Sequence, residues 1–213
     1  MSKVSIPKYS LCEELINSIS HGIGALLSIA AMVLCIIKAH TAAGVVSSIL
    51  YGTFMIILYT ISCIYHALSP KLKGKKVLRV IDHCNVLLMV AGTYMPICLS
   101  LFGGSLGWIL FAIVWFITII AVVFNAIDVD RYQVVSVICN LLLGWGILLL
   151  LKPMLLVCPM KGIWFLISGG IVYSVGAILY GIGSKVPYIH SIFHFFVLAA
   201  SILHFIYIYG YCI

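Results

Sequence analysis

The sequence predicts an all-α integral membrane protein: a bundle of seven transmembrane helices, with the N-terminus cytoplasmic and the C-terminus outside. Three observations predict it. Of 213 residues, 64% are hydrophobic and only 8% are charged, and the mean hydropathy is +1.27. An ordinary soluble domain holds about 45–50% apolar and about 25% charged residues. The apolar residues fall into runs close to the roughly 20 that a helix needs to cross the hydrocarbon core, with short connections between them. Finally, lysine and arginine crowd into alternate connections. The whole chain, 1–213, reads as one transmembrane domain with no room for a separate soluble one.

The first span is expected over about 16–38. Glu13 and Glu14 precede it, Asn17 and His21 interrupt its start, and no small-residue cleavage site follows, so it reads as a retained span and not a signal peptide. The second and third spans are expected over about 44–68 and 78–101, and the fourth over 105–127, after a tight hairpin at Gly103-Gly104-Ser105. The fifth, 134–151, is short and runs into Lys152-Pro153, so the stretch from Pro153 to Pro159 reads as a connection at the interface. The sixth, 162–183, carries Gly169, Gly170, Gly176, Gly181 and Gly183, which suit close helix contacts. The seventh covers 188–211.

Orientation follows from the basic residues. The N-terminal tail and the connections after spans two, four and six hold Lys3, Lys8, Lys71, Lys73, Lys75, Lys76, Arg79, Arg131 and Lys185. The opposite side holds Lys38, Lys152 and Lys161. This excess places the N-terminus in the cytoplasm of a multi-pass plasma-membrane protein. Trp108 and Trp164 fall at the other ends of their spans, as an aromatic belt requires. The net charge of +7 belongs to loops facing lipid headgroups, not to a nucleic-acid surface. The eight cysteines are scattered without a CxxC pair and predict no disulfide framework.

The polar residues share one depth. His190 and His194 are four apart at the start of span seven, so their imidazoles lie on one helix face. Ser62 and His66, at the end of span two, are also four apart, and Asp82 opens span three on the same side. His40 lies in the first outer loop, and His204 sits roughly 21 Å along the helix from His190, so neither shares the site. A lone histidine near a helix end often only bonds a neighbour, and an HxxxH pair alone is a weak metal signal. His66, His190 and His194 at one depth form the pattern of three protein ligands plus an open position, which is that of catalytic zinc. Asp82 then suits a general base and acid, and Ser62 a donor to a developing oxyanion. A mid-membrane carboxylate costs about 2.5–3.5 kcal/mol on insertion scales, a cost that a nearby divalent cation offsets. Glu13, Asn17 and His21 form a stripe at four-residue steps, read as a structural hydrogen-bond network with catalysis as the alternative. His83 is expected to point away from Asp82 as an interface residue. Asp130-Arg131-Tyr132 matches a G-protein-coupled-receptor triplet but follows the fourth span instead of the third, and span seven lacks the lysine of a retinal protein.

The stretches Glu13-Glu14-Leu15-Ile16-Asn17, Ser20-His21-Gly22, Ser62-Cys63-Ile64-Tyr65-His66, Ile81-Asp82-His83, Ala91-Gly92-Thr93-Tyr94-Met95-Pro96 and His190-Ser191-Ile192-Phe193-His194 resemble the haemolysin III family of bacterial membrane proteins. That family is related to the progestin and adipoQ receptors and, more distantly, to alkaline ceramidases. The resemblance covers nearly the whole chain. It implies seven spans with a cytoplasmic N-terminus, a zinc ion on His66, His190 and His194, and a water between zinc and Asp82 with Ser62 beside it. Cys84-Asn85 departs from the small residues expected after the aspartate–histidine pair. The activity it implies is zinc-dependent hydrolysis of a lipid amide, with membrane lipid as substrate or ligand. A pore-forming haemolysin and a lipid-sensing receptor with structural zinc are the alternatives, and oligomeric state stays open.

Overall fold

In a computed structural model, residues 4–183 and 185–213 are described. Seven helices are long and apolar enough to cross a membrane: α1 (Leu11–Lys38), α2 (Ala42–Ala67), α3 (Lys73–Phe102), α4 (Gly104–Ile127), α5 (Gln133–Val157), α6 (Met160–Gly183) and α7 (Ile189–Tyr211). The chain is a multi-pass membrane protein, and no strand occurs among the described residues. Lipid cannot hydrogen-bond an open backbone, so each segment satisfies its own peptide groups as a helix.

Local chemistry sets where the helices begin. Ser10 and Glu13 form a capping box: the Ser10 hydroxyl accepts from the Glu13 amide at 3.3 Å, and the Glu13 carboxylate accepts from the Ser10 amide at 2.8 Å. The first helix therefore opens at Leu11 and not near 16, which draws both glutamates into it. Thr41 caps α2 by accepting from the Gly44 amide. Near the far end of α3, Pro96 has no N–H to give, and the helix continues as a wider π turn over Ile97–Phe102. Gly103 and Gly104, at φ 58° and 48°, then make the tight reversal expected there, in a region that side chains with a Cβ avoid.

The fifth span differs from expectation. The stretch after Lys152-Pro153 is no interfacial connection: Leu151–Val157 is helical and extends the span. A short 3-10 turn over Ile147–Leu150 restarts the hydrogen-bond ladder, so Pro153 falls in the first turn of the new segment. There its missing N–H has no partner to lose.

The helices pack unevenly. α1, α2 and α3 pack in sequence, α7 lies against both α1 and α6, and α4 covers α3. α5 touches α3 and α6 only sparsely, and the space this leaves is a cavity of about 460 Å³. Its mostly apolar walls come chiefly from α3, α5, α6 and α7.

Gly107 allows the α3–α4 hairpin to close, since a Cβ there would run into the Cys98 carbonyl oxygen. Backbone cannot swing aside as a side-chain tip can. We expect Gly107→Ala to destabilise by about 3 kcal/mol, the upper part of the overpacking range. Gly181→Ala, with open space at its Cβ position, should have no such effect. Thermal denaturation of both variants in detergent checks this.

Candidate metal centre

The first two turns of α7 present His190 and His194, four residues apart and both buried. The last turn of α2 presents His66, 2% exposed. One ring nitrogen from each of the three lies within 4.8 Å of the others. The Nε2 atoms of His190 and His194 are 3.2 Å apart. A tetrahedral ion with metal–nitrogen bonds of about 2.0–2.1 Å requires about 3.3 Å between two ligating nitrogens. The His66 Nε2 is buried and has no hydrogen-bond partner, so its lone pair is available. The donor set therefore fits a divalent metal ion.

Glu14 fixes the tautomer of His66. Its Oε2 accepts from His66 Nδ1 at 2.6 Å, which leaves Nε2 as the free lone pair. The other oxygen, Oε1, accepts from Lys75 Nζ at 2.6 Å, and Lys75 also donates to the Leu68 carbonyl. A carboxylate behind a ligating histidine is the usual outer-shell device, orienting the ring and raising its basicity. The sequence reading gave Glu14 no role. Its only signal was a second acid in the first turn of an otherwise apolar helix.

The Glu13, Asn17 and His21 stripe is divided among three tasks. Glu13 closes the capping box and also accepts from the Tyr188 amide at 2.7 Å, tying the start of α1 to the start of α7. Tyr188 has φ 62°, an unfavourable conformation for a non-glycine residue, and this contact helps hold it there, two residues before His190. The Asn17 amide lies 3.4 Å from His66 Nδ1. The His21 ring sits 3.8 Å from the His194 ring, and neither of its nitrogens has a partner.

Ser62 and Asp82 line the cavity together with His21, His190 and His194. His83 lines it too, contrary to the interface position expected. Its Nδ1 donates to the Arg79 carbonyl at 2.8 Å, so its Nε2 accepts from the Tyr180 hydroxyl at 2.8 Å. Rotation of about 100° per residue separates His83 from Asp82 on the helix, but the cavity is wide enough to reach both. Tyr9, ahead of α1, stacks on His190 at 4.7 Å and covers it. His204 lines the far part of the same cavity and donates to the Leu166 carbonyl, away from the three clustered rings. The eight cysteines are free thiols.

A family model described as haemolysin-III related matches residues 9–205. The chain is 40% identical over 196 residues to Hemolysin-3 of Bacillus cereus, covering 91% of this chain and 89% of that protein. It is 38% identical over 208 residues to a Hemolysin-3 homolog of Bacillus subtilis, covering 96% and 97%. More distantly, it is 27% identical over 175 residues to the human monocyte to macrophage differentiation factor, covering 76% and 68%.

Because Glu14 serves His66 and Lys75 at once, Glu14→Gln should show two effects. Divalent-metal affinity should fall by about 10–100-fold, the usual loss when an outer-shell partner goes. The buried Lys75 would lose its counter-charge, which costs about 3–5 kcal/mol. Metal titration and thermal denaturation read the two separately.

Proposed function

The chain belongs to the haemolysin-III-related family, and from that premise we propose that it is a zinc-dependent hydrolase of a ceramide-like lipid amide. The observation that carries this reading is the cavity: a mostly apolar space of about 460 Å³ that includes His190, His194, Asp82 and Ser62 in its wall. An acyl chain fits its apolar length, and an amide carbonyl fits its polar end. A conduction path would need polar walls reaching both faces. The excess of lysine and arginine at the N-terminal end makes that end cytoplasmic in this reading.

His66, His190 and His194 would hold the zinc. Zinc bound there would supply Lewis acidity and lower the pKa of the attacking water to about 7. Asp82 takes the proton that the attacking water gives up and returns it to the departing amine, so the C–N bond breaks without an amide anion leaving. The Ser62 hydroxyl donates to the carbonyl oxygen as negative charge develops on it. Glu14 keeps His66 in the ligating tautomer. Tyr9 limits the access of bulk water over His190.

The names of the Bacillus relatives favour a second reading, disruption of membranes. In the present proposal lysis is indirect and follows from lipid turnover. A lipid-sensing receptor with structural zinc is the third reading.

Purified protein should contain zinc and release fatty acid from one or more N-acyl lipids in a screen that begins with ceramides. His194→Ala should lower both zinc content and melting temperature. Asp82→Asn should retain the metal and lose about 10²–10⁴-fold in turnover, the usual range for a lost acid–base group. Unchanged hydrolysis by Asp82→Asn would remove its proton-transfer role. Red-cell lysis that survives in the same variant would favour direct disruption.

A further inference from the structure

Two buried cations stand on α3 near the site. Lys75 is paired, donating to Glu14 at 2.6 Å and to the Leu68 carbonyl at 2.8 Å. Arg79 is 4% exposed and lines the cavity, and its Nη1 meets Asp130 Oδ1 at 2.7 Å. Neither its Nε, on the side edge of the guanidinium, nor Nη1 has a hydrogen-bond partner, so Asp130 answers the charge as an ion pair without satisfying either donor. A buried guanidinium donor without an acceptor is costly, and a ligand that supplies one removes the cost.

Asp130 does not reach round to that edge, because it is committed elsewhere. Its two oxygens accept from the Ser5 amide at 2.9 Å and the Ser5 hydroxyl at 3.0 Å. Partial burial pushes the Asp130 carboxyl up, but the Ser5 hydrogen bonds and the Arg79 pair outweigh it and hold the group below the usual carboxylate range.

Position sets what the free edge would meet. Arg79 is three residues before Asp82, so the two share a face of α3 and Arg79 lies about 4.5 Å nearer the helix start. The cavity continues in the opposite direction, toward His204 on α7. A lipid amide with its carbonyl beside Asp82 and its acyl chain toward His204 therefore lays its amine half at Arg79. A guanidinium edge matches the paired oxygens of a carboxylate or phosphate.

We propose that Arg79 recognises an oxyanion, carboxylate or phosphate, on the amine half of the lipid amide, so that the substrate class is anionic N-acyl lipids. This rests on the lipid-amide reading above. The test uses the full chain in detergent and three probes with one acyl chain: N-palmitoylglycine, N-palmitoyl-O-phosphoethanolamine and the neutral N-palmitoylethanolamine. Dissociation constants are read by displacement of a fluorescent long-chain amide. At least one anionic probe should bind more tightly than the neutral one by about tenfold to a hundredfold, as a charge-assisted hydrogen bond implies. The better anionic probe identifies the oxyanion. Arg79→Gln should abolish the preference, bringing the anionic probes to the affinity of the neutral one, and Arg79→Lys, which keeps charge without the fork, should retain part of it. If Arg79→Gln does not fold, the wild-type preference and the lysine variant decide. Neutral binding as tight as anionic, or a preference that survives Arg79→Gln, overturns the proposal. Anion preference without hydrolysis of any probe would instead reject the hydrolase reading and leave this site standing.

Discussion

The buried Glu14 carboxylate is the constraint on which the rest of the bundle depends. A charge at membrane depth must be paired or hydrogen-bonded, and Glu14 is answered on both oxygens, by His66 from α2 and by Lys75 from α3. One side chain thus fixes three helices relative to one another. Its neighbour Glu13 does the same for a fourth, through the Tyr188 amide at the start of α7. These contacts set the register between α2 and α7, the two helices that must bring His66 to His190 and His194. A divalent ion held by the three histidines would add positive charge to the cluster, and Glu14 and Asp82 would supply negative charge near it.

The rigidity is confined to one side. α1, α2, α3 and α7 carry the polar contacts that position the histidines. α5 lies on the opposite side of the cavity and is held by few contacts. Gln133, Ser136 and Asn140 share one face of α5 and line the cavity, and each makes a polar contact: Gln133 to Tyr180, Ser136 to Asn125, and Asn140 to the Ser136 carbonyl. The first two, which reach α6 and α4, orient that face inward without drawing the helix into close packing. In lipid no hydrophobic force drives such a gap closed, because acyl chains solvate apolar walls as well as neighbouring helices do.

Much of this was legible in the sequence. Hydropathy alone located all seven spans, since backbone satisfaction in lipid leaves a long apolar run no other form. The i, i+4 rule placed His190 beside His194, and common depth pointed to His66, Asp82 and Ser62. What escaped was local. The Ser10–Glu13 capping box lengthened α1 and so buried Glu14, a consequence that hydropathy windows do not register. Pro153 read as a helix end because a 3-10 turn that resets the ladder has no clear sequence signal. His83 was misplaced because face geometry predicts direction but not the width of a cavity. Arg79 was counted only as a loop charge for orientation, although it begins the cavity wall.

Lys75 and Arg79 show why residue type and spacing cannot finish such a reading. They are four apart on one face of α3, both buried, and a helical wheel treats them as equivalent. Their difference comes from elements distant in sequence. Glu14 arrives from α1 and consumes Lys75, whereas Asp130 arrives from the loop after α4 already bonded to Ser5 and reaches only one edge of Arg79. Arg79 is left with buried donors that have no acceptor, in the wall of the cavity beside which α5 packs loosely. A ligand site in this bundle is therefore defined by which buried charge the fold leaves incompletely answered, and only the three-dimensional pairing reveals which one that is.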